Sequence, residues 1–214
     1  GDTGAQGCGT AQICVGYPSG DPSVVSVGGT NTPRDTSGRL SGVLTGWTGS
    51  GGGCSTIFAQ PAFQAGVTPF GTSCSRRMQP DVALDADTST GVAVDYDASP
   101  GLGGRQVVAV GGTSVSSPQM AAMWALVLQA CKQTAGCATG GGPFPYRLGN
   151  PNPLLYAIYG GKKPLSYAQV FYDVGFGNNA QTGGTGYTAG PGYDLVTGIG
   201  APFGRNLIKA VVGV

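Results

Sequence analysis

Two apolar runs that end in the same three residues, Gly-Gly-Thr, do most to limit how this chain can fold. SVVSVGGT occupies residues 23–30 and QVVAVGGT occupies residues 106–113. Continuous apolar runs of this length are typical of strands buried on both faces, as in a parallel sheet that helices cover. The segments DVAL (81–84) and GVAVDYD (91–97), separated by the polar turn DADTST, predict two more strands.

A helix follows the second Gly-Gly-Thr run. Pro118 suits a first helical turn in which Ser116 or Ser117 is the cap, and QMAAMWALVLQAC comes after it. This segment is apolar on nearly every face. It therefore predicts a helix that is buried in the centre of the fold.

Two further helices are marked by their ends. Asn152-Pro153 opens LLYAIYG, which Gly160 closes, and Pro202 opens a last helix in FGRNLIKAVV. Strands followed by helices favour a three-layer α/β domain.

Composition limits the partners of this chain. The 11 Lys and Arg nearly balance the 10 acidic residues, only 10% of residues are charged, and there is no basic run of the kind that binds phosphates. We therefore expect no nucleic-acid partner. The longest apolar run, MAAMWALVL at 120–128, is too short to cross a bilayer, so we expect no membrane partner either. The 41 Gly and 15 Pro indicate a loop-rich protein, and the 40% hydrophobic content indicates a folded one.

The six cysteines predict disulfides rather than a metal site. None forms a CxxC pair, and without histidine a zinc site would need four of these scattered thiolates. Several connectivities are open, and we favour pairs of neighbours in the sequence: Cys8–Cys14, Cys54–Cys74 and Cys131–Cys137. Disulfides indicate a secreted protein or another extracytoplasmic compartment.

The segment GGTSVSSPQMA, residues 111–121, places Ser114 between a Gly-Gly turn and a helix. Glycines permit a sharp turn and a close approach of substrate to the main chain, and a helix N-terminus favours a developing oxyanion. The alternative is that Thr113, Ser114 and Ser116 only cap and turn the chain. A serine nucleophile needs a neighbouring base to take its proton, and this chain contains no histidine.

The chain resembles the sedolisins, or serine-carboxyl peptidases. GTSVSSP matches the GTSxxxP serine motif that subtilisins and sedolisins share. Four more segments resemble sedolisin motifs: GDTGA (1–5), YPSGDPSVVSVGGT (17–30), SGGGCSTIFAQPAFQ (50–64) and QPDVALDAD (79–87). The resemblance implies a subtilisin-like three-layer α/β/α fold with a mostly parallel central sheet. It also implies that Ser114 is the nucleophile and that Asp2 lies in the oxyanion hole.

Sedolisins replace the histidine base with a glutamate that an aspartate orients. At about pH 4 a histidine with a pKa near 6.5 is protonated, whereas a glutamate with a pKa near 4.3 can still accept a proton. An aspartic acid that is protonated at this pH can donate a hydrogen bond to the oxyanion. The resemblance therefore implies an acid-active serine endopeptidase whose substrates are polypeptides.

The base itself is missing from this chain. All ten acidic residues are aspartates, and the family's Glu/Asp pair lies upstream of the segment that GDTGA resembles. Asp85 and Asp87 can share one face of a strand, but we interpret them as turn-capping residues. GDTGAQG lacks an initiator Met, so we expect the pair on a second polypeptide cut from the same precursor. The alternatives are an inactive fragment that keeps the fold and a calcium-stabilised module that binds peptide or glycan.

A glycine-rich segment, residues 170–202, resembles the calcium-binding segment of sedolisins. Ca²⁺ takes about six to eight oxygen ligands, and carbonyls of irregular loops can serve beside carboxylates. The resemblance implies a Ca²⁺ site with these ligands: the side chains of Asp173 and Asp194 and the carbonyls of Val174, Gly190 and Gly192. The alternative is a metal-free loop held by aspartate caps.

One segment departs from the family pattern. KQTAGCATGGGPFPYRLGNPN (132–152) is interpreted as an insertion that Cys131 and Cys137 staple. We therefore expect the chain to be the C-terminal portion of one peptidase domain. We divide it into the sheet and serine helix (1–130), the insertion (131–152) and the calcium-loop region (153–214).

Overall fold

The computed structural model describes residues 1–8, 12–99, 104–135, 137, 148–181 and 184–213. The strands in these ranges are β1 (Val27–Asn31), β2 (Thr45–Gly46), β3 (Gly53–Ala59), β4 (Arg76–Gln79), β5 (Val82–Asp85), β6 (Val92–Asp97), β7 (Arg105–Val110), β8 (Phe171–Tyr172) and β9 (Ala201–Pro202). The helices are α1 (Thr113–Gln133), α2 (Asn152–Tyr159), α3 (Tyr167–Val170) and α4 (Gly204–Val212), with a short 3-10 turn at Ala62–Gln64.

A three-stranded sheet in the order β2-β1-β5 supports the rest of the fold. β1 and β5 are parallel, with Thr30 opposite Asp85, whereas β2 pairs antiparallel with the end of β1. Gly28 permits this packing, because a Cβ there would lie 2.7 Å from the ring of Pro80 and 2.7 Å from the hydroxyl of Ser50. The α/β prediction is confirmed. The described sheet is mixed, however, and the expectation of a mostly parallel sheet holds only for the β1–β5 pair.

The hydrophobic core joins this sheet to the helices. α1 packs on β1 and β5 and contacts α4 along its side. The fully buried apolar side chains of the core include Met78, Val82, Val127, Leu155, Ile158, Leu195, Ile199 and Leu207. They lie between positions 78 and 207 of the chain and belong to one continuous cluster.

The prediction for the second Gly-Gly-Thr run is wrong. β7 is not a buried parallel strand but pairs antiparallel with β6, with Val92 opposite Val110 and Asp97 opposite Arg105. Most of this hairpin is exposed, and Val107 is 69% exposed. Valine-rich runs suit any pleated strand, so the composition of the run did not distinguish a core strand from a surface hairpin.

The predicted start of α1 is also wrong. The helix begins at Thr113, with Gly112 as its N-cap residue, and Pro118 lies inside it. Neither Ser116 nor Ser117 is the cap. Proline lacks an N–H, so Pro118 cannot donate to the carbonyl of Ser114 in the α-helical pattern.

α1 is not buried on every face, contrary to the prediction. Leu126 is 52% exposed. The other exposed positions of α1 are Ser114, Ser117, Pro118, Ala121, Ala122, Ala125, Gln129, Lys132 and Gln133. Nevertheless, within the described ranges no helix is long and apolar enough to cross a membrane.

The remaining predictions have mixed outcomes. α2 occupies Asn152–Tyr159 and ends at Gly160, as predicted, but α4 begins at Gly204 because Pro202 belongs to β9. All three predicted disulfides are present. Most of the predicted insertion, residues 136 and 138–147, lies outside the described residues, and the division into three regions stays a prediction.

A buried ion pair joins the end of β4 to the start of β5. Arg77 and Asp81 are fully buried, and the two guanidinium N–H groups donate to the two carboxylate oxygens at 2.6 Å each. The hydroxyl of Tyr156 and the backbone N–H of Ser26 also donate to this carboxylate, at 2.9 and 2.8 Å. Burial alone would lower the pKa of Arg77, but the Asp81 carboxylate outweighs burial and raises it, so the guanidinium stays charged.

We expect Asp81→Asn to lower the free energy of unfolding by about 3–5 kcal/mol, because it leaves the Arg77 charge buried without a counter-charge. Asp95→Asn is the matched control, since it breaks the exposed pair with Arg105 on the β6–β7 hairpin and should cost less than about 1 kcal/mol. Urea denaturation measures both values. Equal losses in the two variants would contradict the assigned importance of the buried pair.

Candidate active site

Ser114 lies in the first turn of α1 and is exposed. Gly111 and Gly112, which precede Thr113, pass the end of β5. There the N–H of Gly112 donates to the carbonyl of Ala86 at 2.6 Å. Gly112 has a φ of 90°, a conformation that favours glycine. The tight turn predicted from the sequence is therefore present, and it holds the N-terminus of the serine helix against the sheet.

Asp2 contacts the residue next to Ser114. The backbone N–H and the side-chain hydroxyl of Thr113 both donate to Oδ1 of Asp2, at 2.8 and 2.7 Å. The carboxylate also lies against Gly112, where an added Cβ would be 2.6 Å from Oδ2. The fold thus brings the two residues predicted to be catalytic from distant parts of the chain to one turn. Thr113, which the sequence analysis considered only as a capping residue, proves to hold the carboxylate.

Asn179 and Gln181 of the C-terminal glycine-rich loop also contact the segment that carries Asp2. The side-chain amide of Gln181 donates to the carbonyl of Asp2 at 2.5 Å, and the N–H of Ala5 donates to the carbonyl of Asn179 at 3.0 Å. Gly4 fits closely against Asn179, because a Cβ there would lie 2.2 Å from that carbonyl oxygen. The sequence analysis missed Asn179 and Gln181, since both lie in an irregular glycine-rich segment without periodicity.

A cavity of about 330 Å³ opens beside the serine turn. Thr113 and Ser117 form one side of it, and the backbone of Gly51 and Gly52 and the side chain of Gln79 form others. Glycine leaves main-chain groups accessible to a ligand, as recognition of an extended peptide requires. The cavity therefore offers a ligand a concave surface next to the turn that carries Ser114.

The two aspartates predicted as calcium ligands lie on either side of one short segment. Both oxygens of Asp173 accept from the N–H of Gly192, at 3.1 and 2.9 Å. Asp194 is fully buried and accepts from the N–H of Gly190 at 3.2 Å and from the N–H and hydroxyl of Thr197 at 2.7 and 3.0 Å. The structure thus brings Asp173, Asp194, Gly190 and Gly192 together around one turn, and Val174 directly follows Asp173. The two glycines contact the carboxylates through their N–H groups and not through the predicted carbonyls.

The donor chemistry of this turn fits a hard cation. Burial raises the pKa of Asp194 to about 6, although backbone N–H groups of Thr197, Val196 and Gly190 oppose the shift. Burial also raises the pKa of the buried hydroxyl of Tyr167, and the charge of Asp173 and a hydrogen bond with its side chain add to the shift. Three acidic or cysteine side chains do not cluster anywhere in the described ranges. A Ca²⁺ site here would therefore need carbonyl ligands, as the sequence predicts.

The chain is similar to known proteins over most of its length. The Subtilase family model matches residues 7–139. Kumamolisin from Bacillus sp. (strain MN-32) is 33% identical over 213 residues, which cover 92% of this chain and 32% of kumamolisin. Sedolisin from Pseudomonas sp. (strain 101) is 30% identical over 197 residues, which cover 87% of this chain and 28% of sedolisin. The chain belongs to the sedolisin branch of the subtilase family.

A solved structure extends this likeness to the fold of the sedolisin family. Pseudomonas sedolisin, complexed with two molecules of pseudo-iodotyrostatin, superimposes with a TM-score of 0.73 at 27% identity. The match covers 98% of this chain and 53% of the sedolisin chain. The chain therefore has the subtilisin-like fold. It spans about a third of the length of the curated relatives and about half of the solved sedolisin chain.

We expect Gly112→Ala to separate Asp2 from Thr113, because the new Cβ meets Oδ2 and the positive φ strains alanine. The strain alone should cost about 1–3 kcal/mol of stability. Gly66→Ala is the matched control, since Gly66 has a φ of 80° but no atom within 4 Å of an added Cβ. Denaturation and the chemical shift of the Thr113 amide measure the two effects. An unmoved Thr113 resonance in Gly112→Ala would contradict the contact.

Proposed function

We propose that this chain is the serine-bearing portion of an acid-active serine-carboxyl endopeptidase that cleaves polypeptides. The observation that carries the proposal is the contact of the Asp2 carboxylate with Thr113, immediately before Ser114 at the N-terminus of α1. A carboxyl group and a helix N-terminus beside an exposed serine hydroxyl are the groups needed to stabilise an oxyanion. Family membership supports the same chemistry.

In this mechanism the Ser114 hydroxyl attacks the carbonyl carbon of the scissile peptide bond. Its proton passes to the base, the C–O bond to serine forms, and the carbonyl oxygen becomes an oxyanion. Both donors of Thr113 engage Oδ1 of Asp2, so the proposal assigns the carboxyl proton to Oδ2. The Oδ2–H donates a hydrogen bond to the oxyanion and keeps its proton, so the carboxyl group is unchanged when the intermediate collapses. Collapse of the intermediate expels the amine, which takes the proton from the base, and water then releases the acyl group.

The base comes, in this proposal, from a Glu/Asp pair on an upstream segment outside this chain, carried by a second polypeptide from the same precursor. The chain has neither histidine nor glutamate. The two aspartates at the end of β5, Asp85 and Asp87, make other hydrogen bonds, since Asp85 accepts from Thr90 while Asp87 accepts from Asn31 and Ser89. The exposed outer face of α1 supports such a partner, because covering apolar surface stabilises an association.

An apolar groove beside that face marks where the upstream segment would begin to pack. It has a volume of about 200 Å³ and lies between β1 and α1, lined by Val25, Val27, Met120, Ala121 and Trp124. We also propose secretion or an acidic extracytoplasmic compartment. The three disulfides of the described chain support an oxidising location.

We expect the intact preparation to cleave peptides fastest at about pH 4 and to lose activity toward neutral pH, because a carboxyl group can donate a hydrogen bond to the oxyanion only in its protonated form. Ser114→Ala should lower kcat by at least about 10³-fold, whereas Ser37→Ala, in an exposed loop, should leave it unchanged. Full activity of Ser114→Ala would defeat the assignment. Native mass spectrometry tests the partner, and detection of this polypeptide alone in an inactive sample would favour the inactive fragment.

We further propose that Asp173 and Asp194 bind Ca²⁺ with the carbonyls of Val174, Gly190 and Gly192. The ion would supply the positive charge that a buried carboxylate needs and would cross-link the two ends of the C-terminal loop. The burial of the Asp194 carboxylate supports this assignment.

Removal of Ca²⁺ with a chelator should lower Tm, and re-addition at about 100 times the Kd should restore about 2.7 kcal/mol of stability. Asp194→Asn should abolish this response. Asp35→Asn is the control, because Asp35 caps an exposed turn through Ser37 and should keep the full response. A Tm that does not respond to Ca²⁺ in the unmodified protein would refute the site.

A further inference from the structure

A second cavity lies on another flank of α1, and its lining combines opposite charges with apolar walls. It has a volume of about 300 Å³, at the small end of the range of ligand pockets. Asp85 and Arg34 are its charged residues. Apolar side chains form much of the remainder: Leu40, Leu44, Leu84, Met123 and Phe203. We call it the Asp85 cavity.

The carboxylate of Asp85 is only half satisfied. The residue is 3% exposed, and the hydroxyl of Thr90 donates to Oδ1 at 2.7 Å. Oδ2 is buried and has no hydrogen-bond partner among the described residues. Leaving a buried acceptor unpaired is costly, so such groups in native proteins usually have a functional explanation.

The charges around Asp85 favour a cationic group at Oδ2. Burial raises the pKa of this carboxyl, while the Thr90 hydroxyl and the charge of Arg34 oppose the shift and the negative charge of Asp87 adds to it. Asp87 is itself held by Asn31 and Ser89, so its charge stays close by. An ammonium group that donates to Oδ2 would relieve both the missing hydrogen bond and the repulsion between the two carboxylates.

Arg34 provides the complementary charge. It is exposed, and one of its guanidinium N–H groups donates to the carbonyl of Gly38 at 3.2 Å. A guanidinium has five N–H donors and binds carboxylates well. A ligand that carries an ammonium group, a carboxylate and an apolar side chain therefore matches all three parts of the lining.

We propose that the Asp85 cavity binds a free α-amino acid with an apolar side chain, its ammonium group on Asp85 and its carboxylate on Arg34. The leucine-rich wall and Phe203 receive the side chain. Other ligand classes fit less well. An anion would meet the charges of Asp85 and Asp87, and a bare divalent cation would find one buried carboxylate and the positive charge of Arg34. The proposal does not depend on the peptidase activity.

Isothermal titration calorimetry with L-leucine at about pH 7 tests the site on the unmodified chain. We expect a Kd on the order of 1 mM, as is reasonable for so small a ligand. N-acetyl-leucine lacks the ammonium group and leucinamide lacks the carboxylate, so each should bind at least about tenfold more weakly. No heat of binding with tens of millimolar leucine would overturn the proposal.

Two variants assign the binding to this cavity. Asp85→Asn keeps the acceptor for Thr90 but removes the charge, and Arg34→Gln removes the opposite charge from an exposed position where folding is not at risk. Each should weaken leucine binding at least about tenfold. The controls are Asp97→Asn and Arg39→Gln, exposed residues outside the cavity lining, which should bind as the parent does. Unchanged binding in Arg34→Gln, or in a folded Asp85→Asn, would overturn the proposal.

Discussion

The buried pair of Arg77 and Asp81 connects three parts of the chain that are far apart in sequence. Beyond the ion pair, the backbone N–H of Asp81 donates to the carbonyl of Ser26 before β1, and its carbonyl accepts from the N–H of Ile199 near the C-terminus. The hydroxyl of Tyr193 donates to the adjacent carbonyl of Pro80 at 2.9 Å. Buried ion pairs often add little net stability, so the effect of this one is better understood as fixing one arrangement of these segments.

That arrangement also determines where the candidate sites lie. The C-terminal segment that meets Asp81 and Pro80 contains Asp194, and its earlier part provides the Asn179 and Gln181 contacts behind Asp2. The candidate calcium turn and the candidate oxyanion residue therefore belong to one hydrogen-bonded unit. Ordering the turn with a cation would also restrain the segment that holds Asp2, so that a metal far from the scissile bond can act on catalytic geometry through this loop.

The sequence predicted best the features that depend on local chemistry. The disulfides join near neighbours, α2 has Pro153 at its start and Gly160 at its end, and the β1–β5 pair follows from two short apolar runs. The burial of a strand could not be predicted from its composition, because a valine-rich segment such as β7 is equally suitable for a core strand and for an exposed hairpin. The contacts of Thr113, Asn179 and Gln181 with the Asp2 segment could not be predicted, because they join residues at least 111 positions apart. The unpaired oxygen of Asp85 could not be predicted from the sequence either. Asp85 and Asp87 were both interpreted as turn-capping residues, and only Asp87 has the hydrogen bonds of a turn cap.

The outer face of α1 is exposed in this chain although small and apolar residues form much of it, and a partner that covers this face would account for them. Ala121, Ala122, Ala125 and Leu126 form an outer face that a solvated helix would normally fill with charged residues. Small side chains permit close approach of another backbone, and Pro118 on the same face carries no N–H that a partner would have to satisfy. The sequence of α1 therefore suits a helix covered on this side, and the proposed upstream segment would cover it while placing its Glu/Asp pair beside Ser114. Nucleophile and partner surface would then lie on one face of one helix, which makes association with the partner a condition for catalysis.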